Sequence, residues 1–178
     1  MEMIEKQISS KTLYDGRIFR VTLDEIKDVY GNDNIREVVI HNGGVGVVAL
    51  DDDDRVLMIR QYRYGAGEVL LEIPAGKLEL GEQPMECGLR ELIEETGYKA
   101  NKCIDLGFIY PTPAYDTEKI YLYYASDLEF VGQHFDSGEY MECEKIALDE
   151  VVKMIMEGKI TDAKTIAAVM KISGMRKK

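Results

Sequence analysis

The amino-acid sequence predicts an α/β fold with a mixed β-sheet. Apolar runs of strand length are interleaved with three segments of helical periodicity along the 178 residues. The intervals between them are too irregular for a doubly wound parallel sheet, and no GxGxxG sequence occurs. A chain of this length suggests one domain, with room for a small appendage.

The first predicted strands form a hairpin near the N-terminus. Alternating apolar side chains, among them Phe19 and Val21, predict a strand before the turn-forming sequence YGNDN, and REVVIH predicts its partner strand. We therefore expect residues 1–41 to form a small antiparallel N-terminal sheet, with too few strands for an independent core.

Five further apolar runs predict the strands of a larger sheet: VGVVAL, RVLMIRQY, VLLEIP, DLGFIY and KIYLYYA. The first two are separated by four consecutive aspartates, Asp51–Asp54, which could suggest a metal site. A solvated hairpin turn is the better interpretation, because adjacent side chains in a turn point apart.

Capping signals and apolar periodicity predict three helices. Pro84 suits a first helical turn and Gly97 suits a left-handed stop, so the first helix lies between them. The second helix is expected to begin with Asp149 as its N-cap and to end at Gly158. The third lies within TDAKTIAAVMKIS. The apolar faces are predicted to comprise Leu89, Leu92, Ile93 and, less strongly, Met85 in the first helix, and Ile166, Ala167, Val169 and Met170 in the third.

Composition excludes several functional classes. Lys plus Arg number 22 against 33 Asp plus Glu, and the net charge of −11 repels nucleic acids and anionic membranes. The cysteines Cys87, Cys103 and Cys143 form no CxxC motif, which favours reduced thiols in a cytoplasmic protein over a zinc site or disulfides. The N-terminal MEMIEKQISS lacks the apolar stretch of a signal peptide, and no apolar run reaches membrane-spanning length.

Three glutamates crowd one arc of the first predicted helix. Glu95 lies about 40° to one side of Glu91 and Glu94 about 60° to the other. Like charges at this spacing destabilise a helix, and no lysine lies between Pro84 and Tyr98 to relieve them. Mg²⁺ would hold them together, because it prefers carboxylate oxygens together with substrate phosphates. From these residues alone, an acidic solvated helix remains the alternative.

The spacing resembles the Nudix box of the Nudix hydrolase superfamily, with every fixed position filled: Gly76, Glu82, Arg90-Glu91-Leu92, Glu94-Glu95 and Gly97-Tyr98. Tyr98 stands where an aliphatic residue is more typical. The resemblance implies an α/β/α sandwich in which residues 76–98 form a loop, a helix and a loop. It also implies hydrolysis of a nucleoside diphosphate linked to another moiety.

The same resemblance implies roles for the residues of the box. It places four groups around Mg²⁺, or Mn²⁺ as a substitute: Glu91 and Glu95 as chief ligands, the Ala75 main-chain carbonyl, and the catalytic Glu94. Glu82 and Arg90 are expected to orient the helix against the loop. Bound metal would neutralise substrate phosphates, position the water and lower its pKa, which removes the objection that an acidic protein repels an acidic substrate.

Other stretches resemble the ADP-ribose pyrophosphatase subfamily over nearly the whole chain: REVVIHNGGVGVVAL, IRQYRYGAGEVLLEIPAGKLE, YPTPAYDTEKIYLYYA and EGKITDAKTIAAVMKI. A proline beyond the box marks that group, and Pro113 fills its place, although Ala114 follows where many relatives have glycine. The implied reaction is Mg²⁺-dependent hydrolysis of ADP-ribose to AMP and ribose 5-phosphate. Hydrolysis of another nucleoside diphosphate sugar or derivative is one alternative. A non-catalytic ADP-ribose-binding regulator is another, against which the intact box counts.

Single positions match substrate-contacting residues of that subfamily. Arg36 and Arg63 correspond to arginines that contact the substrate, a task for which guanidinium groups suit phosphate. Glu118 corresponds to a carboxylate that accepts hydrogen bonds from ribose hydroxyls, and Gly76 belongs to the substrate-binding positions. Ordinary surface charge is the alternative for the three charged residues.

The resemblance also implies a loop glutamate and a dimer. Glu139 corresponds to a residue that binds the metals or acts as general base, and Glu142 is its alternative. Relatives use the N-terminal region, here residues 1–41, to form a homodimer in which one subunit helps to bind the other's substrate. Arg36 is the candidate for that contact, and residues 42–178 form the hydrolase domain.

Overall fold

The computed structural model describes residues 3–133 and 140–176. Its elements, in chain order, are β1 Lys6–Asp15, β2 Phe19–Lys27, β3 Asp33–His41, β4 Gly44–Ala49, β5 Arg55–Arg63, β6 Glu68–Glu72, β7 Ala75–Lys77, α1 Pro84–Thr96, β8 Tyr98–Ile109, β9 Ile120–Phe130, β10 Met141–Ala147, α2 Leu148–Met156 and α3 Ala163–Arg176. None of the helices in these ranges combines the length and apolar character that crossing a lipid bilayer requires.

The chain divides into two compact units, of which the first comprises Met1–Gly43 and Tyr110–Lys119. Strands β1, β2 and β3 form an antiparallel sheet in that order, so the predicted hairpin of β2 and β3 is present. Strand β1 was not predicted. All of its residues are exposed, and it therefore lacks the apolar alternation by which a strand is recognised.

The second unit comprises Gly44–Ile109 and Ile120–Lys178. One sheet has the order β7-β4-β9-β8, in which β4 pairs parallel with β9 and antiparallel with β7. A second sheet has the order β10-β5-β6. An isolated bridge between Leu50 and Val56 joins the ends of β4 and β5. The predicted mixed sheet is confirmed.

The buried strand β4 separates two hydrophobic cores. Val47 belongs to a buried cluster with Leu92 of α1, whereas its neighbour Val48 belongs to a cluster with Val151 of α2 and Val169 of α3. Successive side chains of a strand point to opposite faces of the sheet. Helix α1 therefore covers one face and helices α2 and α3 cover the other, which confirms the α/β/α arrangement.

The helices are where the sequence predicts them, but one expectation about their apolar faces and one about a helix cap were wrong. Met85 and Met170, expected on apolar faces, are 40% and 38% exposed. Asp149 is not an N-cap: Ala147 holds that position in α2, and Asp149 lies in the first turn. A carboxylate in the first turn interacts favourably with the positive end of the helix dipole. Aspartate is therefore favoured both as the N-cap and in the first turn, and the sequence alone does not distinguish the two positions.

Two short strands also escaped prediction. Strand β7 has only three residues, and β10 includes Glu142, the alternative position for the predicted loop glutamate. The aspartate run Asp51–Asp54 forms the predicted turn: the Asp51 N–H donates to the Arg55 carbonyl at 3.0 Å, and Asp54 takes a left-handed φ of 59°.

Candidate active site

Helix α1 is fixed at both ends by the residues that predicted it. Pro84 occupies its first turn, where the missing N–H costs nothing. Gly97 ends it with φ 77°, and its N–H donates to the Ile93 carbonyl at 2.7 Å. A side chain at Gly97 would also lie 2.8 Å from the Phe130 ring, so glycine is required for space as well as for backbone conformation.

Arg90 gathers three carboxylates into what we name the helix cluster: Glu82, Arg90, Glu91 and Glu94. Its Nε donates to Glu82 Oε1 at 3.0 Å. Its Nη1 donates to Glu91 Oε1 at 3.0 Å and to Glu94 Oε2 at 2.8 Å. One guanidinium therefore faces three carboxylates, all on side chains that remain partly exposed.

This contact changes the acidity of both partners. The hydrogen bond from Arg90, followed by the N–H of Glu79, lowers the pKa of Glu82 to about 2. The same hydrogen bond raises the pKa of Arg90 above its usual range. Burial, reinforced by Glu82, raises the pKa of the Cys87 thiol to about 12, so this cysteine is not a nucleophile at neutral pH. The predicted pairing of Glu82 with Arg90 has the geometry of a brace between loop and helix.

Gly76 leaves space that the carboxylate of Glu91 fills. A Cβ atom built on Gly76 would lie 1.9 Å from Glu91 Oε1. Any side chain at this position would therefore displace Glu91. This close approach explains why glycine stands at the first position of the motif.

Glu95 is joined to the strand before the loop. Its side chain is buried, at 5% exposure, and Oε2 accepts the Ala75 N–H at 2.9 Å. Gln133 donates to the main-chain carbonyl of the same glutamate. The structure thus brings together Ala75, Glu91 and Glu95, which the resemblance assigns to a metal site, and Gly76, a predicted substrate-binding position.

The chemistry of these donors fits a hard divalent cation. Carboxylate oxygens of Glu91, Glu94 and Glu95 and a main-chain carbonyl are ligands of the kind Mg²⁺ takes. The space that Gly76 leaves admits a carboxylate close to the backbone. Within residues 3–133 and 140–176, no three acidic, histidine or cysteine side chains are already grouped to hold a metal ion, and Arg90 is the cation that Glu91 and Glu94 face.

A second ionic group, missed in the sequence, lies in the same unit. We name it the buried cluster: Arg63, Glu72, Asp162, Lys164 and Thr165. Arg63 donates to Glu72 through both Nε and Nη2 at 2.7 Å, and Lys164 donates to the same carboxylate. Burial opposes ionisation of Glu72, but the two cations hold its pKa below the usual value. In the sequence DAKT, Asp162 is recognisable as the N-cap of a helix. No neighbouring residue in the sequence identifies Glu72 as the partner of Lys164.

The remaining predicted positions divide as follows. Arg36 pairs with Glu5, and Glu118 lies 3.5 Å from the His41 imidazole, both within the first compact unit. Glu139 lies outside the described residues. Glu142 is an exposed residue of β10, paired in register with Arg60. Roles in substrate binding or catalysis at these four positions stay predictions.

A family model and two known proteins each match most of this chain. Residues 40–169 match the family model described as the NUDIX domain. The chain is 32% identical over 167 residues to the ADP-ribose pyrophosphatase of Bacillus subtilis (strain 168), covering 93% of this chain and 90% of the relative. It is 36% identical over 167 residues to the methanol dehydrogenase activator of Bacillus methanolicus, with the same 93% and 90% coverage.

A solved structure has the same fold. The crystal structure of an ADP compounds hydrolase superposes with a TM-score of 0.86, covering 97% of this chain and 94% of the other at 23% sequence identity. The matched residues include those of both compact units, and the likeness supports the α/β/α architecture described above.

Proposed function

Because the chain belongs to the Nudix family, we propose that it is a Mg²⁺-dependent pyrophosphohydrolase that converts ADP-ribose and water to AMP and ribose 5-phosphate. The observation that carries this proposal is the complete box with its geometry intact: Glu91 beside Gly76, Glu95 hydrogen-bonded to Ala75, and Arg90 braced by Glu82. The similarity to an ADP-ribose pyrophosphatase over most of both chains supports the substrate.

In this proposal the residues of α1 have distinct tasks. Glu91, Glu95 and the Ala75 carbonyl hold the metal, and Glu94 lies beside them as a catalytic carboxylate. When bound, Mg²⁺ neutralises the phosphates and lowers the pKa of the attacking water. Arg90 and Glu82 keep the helix in register with the loop. The three free cysteines support a reducing, cytoplasmic location.

Substrate contacts are assigned to residues outside the helix. Arg63 and Arg36 contact phosphate or base, Glu118 accepts hydrogen bonds from ribose hydroxyls, and Gly76 belongs to the substrate-binding positions. The bidentate bond of Arg63 to Glu72 supports its part, because a guanidinium fixed along one edge keeps its remaining N–H groups in a defined direction.

A substrate panel tests the proposal. Purified protein with Mg²⁺ is incubated with ADP-ribose, other ADP-linked compounds and GDP-mannose, and the products are separated by chromatography. We expect AMP and ribose 5-phosphate, with the highest kcat/KM for ADP-ribose. A higher value for another nucleoside diphosphate derivative would reassign the substrate within the same reaction.

A regulatory role is the second candidate, and the relative named as a methanol dehydrogenase activator favours it. A non-catalytic regulator would bind ADP-ribose without turnover. The same panel separates the two, because calorimetric binding of ADP-ribose with no product after prolonged incubation would leave the regulator and exclude the enzyme.

The general base is assigned to Glu139. The carboxylates of α1 are poor bases when committed to metal, so a second carboxylate has to come from elsewhere in the chain. Glu142 belongs to the regular strand β10, which favours Glu139 over Glu142 for this role. Glu139→Gln is expected to lower kcat strongly with little change in KM, and Glu142→Gln to do less. The reverse ranking would transfer the role to Glu142.

We also propose a homodimer formed through residues 1–41, in which Arg36 serves the neighbouring site. The sheet of the first unit exposes several large apolar side chains, which favours burial against a second copy: Ile8, Leu13, Tyr14, Ile18, Phe19 and Ile35. Light scattering at assay concentration is expected to give the dimer mass. An active monomer would rule out the shared site.

A further inference from the structure

The carboxylate of Glu72 is shared between two cations. Arg63 covers both of its oxygens, and the ammonium group of Lys164 binds Oε2 as well. Glu72 is 1% exposed and Lys164 8%. A buried ammonium group is tolerated only with such partners, because an unpaired charge in the interior is costly. Lys164 is therefore fixed in place rather than free in solvent.

Lys164 is also held from its own helix. Asp162, which precedes α3, accepts from the Lys164 ammonium at 3.0 Å through Oδ1. Its Oδ2 accepts the N–H and the hydroxyl of Thr165 at 2.9 and 2.6 Å. The Thr165 hydroxyl in turn accepts the Ile73 N–H at 2.9 Å. The first turn of α3 thus holds two consecutive residues, Glu72 and Ile73.

This attachment continues into the candidate metal site. The Pro74 carbonyl accepts the Val47 N–H at 2.9 Å, and the Ala75 N–H donates to Glu95 at 2.9 Å. The segment from Glu72 to Ala75 is therefore held by α3, by β4 and by α1 in successive residues. The position of α3 therefore influences Arg63, through Glu72, and Ala75, whose main-chain carbonyl is a proposed metal ligand.

We infer that Lys164 is a positioning residue for phosphate recognition by Arg63, an inference that rests on the proposed function. Arg63 uses Nε and Nη2 for Glu72, and its Nη1 donates to no residue in the ranges 3–133 and 140–176. Lys164 and Arg63 together balance Glu72 and Asp162, so an anionic ligand that approaches Arg63 meets a neutral group of charges. Without Lys164, the same group would carry a net negative charge that opposes an anionic ligand.

The charges of the buried cluster predict the direction in which each substitution changes phosphate binding. Two cations, Arg63 and Lys164, balance two carboxylates, Glu72 and Asp162. Lys164→Met makes the cluster negative and should weaken the binding of phosphates. Asp162→Asn makes it positive, and asparagine is an equally good helix cap. A purely structural role would make both variants worse in the same direction.

Steady-state hydrolysis of ADP-ribose gives the first test. Lys164→Met is expected to raise KM about tenfold, the loss of one charge-assisted interaction, with kcat within a factor of about three. Asp162→Asn should leave KM unchanged or lower it. Lys153→Met is the matched control, because it removes an exposed lysine paired with Glu150 on α2 and should leave KM as in the wild type.

A double variant shows whether Lys164 acts through Arg63. Arg63→Lys breaks the bidentate contact, and adding Lys164→Met to it should then raise KM by clearly less than tenfold. If the two effects on kcat/KM multiply, Lys164 acts independently of Arg63 and the inference is overturned. Equal KM increases in Lys164→Met and Asp162→Asn would overturn it as well.

Calorimetric binding of inorganic pyrophosphate separates this inference from the proposed function. We expect its Kd to rise about tenfold in Lys164→Met and to stay unchanged in Lys153→Met. If no compound of the panel is hydrolysed but this dependence holds, the proposed function fails and the inference stands. If hydrolysis occurs but Lys164→Met behaves as Lys153→Met in both assays, the inference fails alone. If the wild type neither hydrolyses nor binds pyrophosphate, both are wrong.

Discussion

The helix cluster and the buried cluster are both built around an arginine, but they differ in charge and in solvent exposure. In the helix cluster three carboxylates face the single guanidinium of Arg90, and all four side chains are partly exposed. In the buried cluster Glu72 and Asp162 are balanced by Arg63 and Lys164, and Glu72 is almost completely inaccessible to solvent.

This difference divides the work between the two clusters. Unbalanced, accessible carboxylates can take a further cation, so the helix cluster is suited to metal binding. In the buried cluster the charges are balanced and, apart from the partly exposed Arg63, shielded from solvent, so loss of one member leaves a charge short of its partner in the interior. We therefore expect variants of the helix cluster to lose activity first, and variants of the buried cluster to lose stability first.

The largest effect is expected in the carboxylates of α1. Glu94→Gln and Glu95→Gln each remove a charge but keep the shape of the side chain, and a glutamine oxygen at position 95 can still accept the Ala75 N–H. We expect kcat to fall by roughly three orders of magnitude in each variant, since metal-dependent charge stabilisation is lost. The measurement is steady-state turnover at saturating Mg²⁺.

Thermal unfolding of the same variants supplies the control. Relief of like-charge repulsion on the helix should leave the melting temperature unchanged or raise it. Near-normal turnover in both variants would remove the metal-binding role from α1, whatever the melting temperature shows.

The next largest effect concerns Glu72. Glu72→Gln keeps the volume but removes a buried carboxylate, so that the buried Lys164 keeps Asp162 but loses Glu72, and the free energy of unfolding is expected to fall by about 3 kcal/mol. This is near the lower end for a broken buried pair, because the guanidinium of Arg63 is partly exposed and can turn to solvent. Urea denaturation measures this loss in the free energy of unfolding. A loss no larger than that of Glu94→Gln would show that the two clusters do not differ in this way.

The smallest effect is the pH dependence of stability from Glu82. Its pKa of about 2 in the folded protein lies below the ordinary value of 4.5, so its pairing stabilises the fold above pH 4.5 and is lost as the pH falls towards 2. The gain is small because partly exposed ion pairs are screened by water. Arg90→Gln should flatten this part of the acid unfolding profile, whereas an unchanged slope between pH 4.5 and 2 would contradict the assignment.

The sequence predicted the helix cluster because its members are close in the chain. Glu91 and Glu94 of the cluster share one helix with Glu95, and their spacing alone places the three glutamates on one arc. Gly76 and Glu82 were added by the resemblance to a known motif. The structure contributes what spacing cannot show, such as the contact of Glu91 with the backbone of Gly76.

The buried cluster could not be predicted in the same way. Glu72 and Lys164 come together only when α3 packs on the sheet, and each is a polar residue in a segment read by its apolar pattern. The buried face of α3 begins with Lys164 and Thr165, whereas the apolar pattern pointed to Met170, which is partly exposed. A polar residue on a buried face is visible only when its distant partner is known.

The parallel pairing of β4 with β9 has a consequence for how the protein folds. The two strands pair from Gly44 with Ile120 to Ala49 with Ala125, and all of α1 lies between them in the chain. Contacts between residues so far apart require a large loop to close before they stabilise anything, which slows folding. Helix α1 packs on β4, so its platform is complete only after β9 has joined. Folding is therefore expected to be slower than in a helical bundle of equal length, and catalytic competence to appear late in refolding.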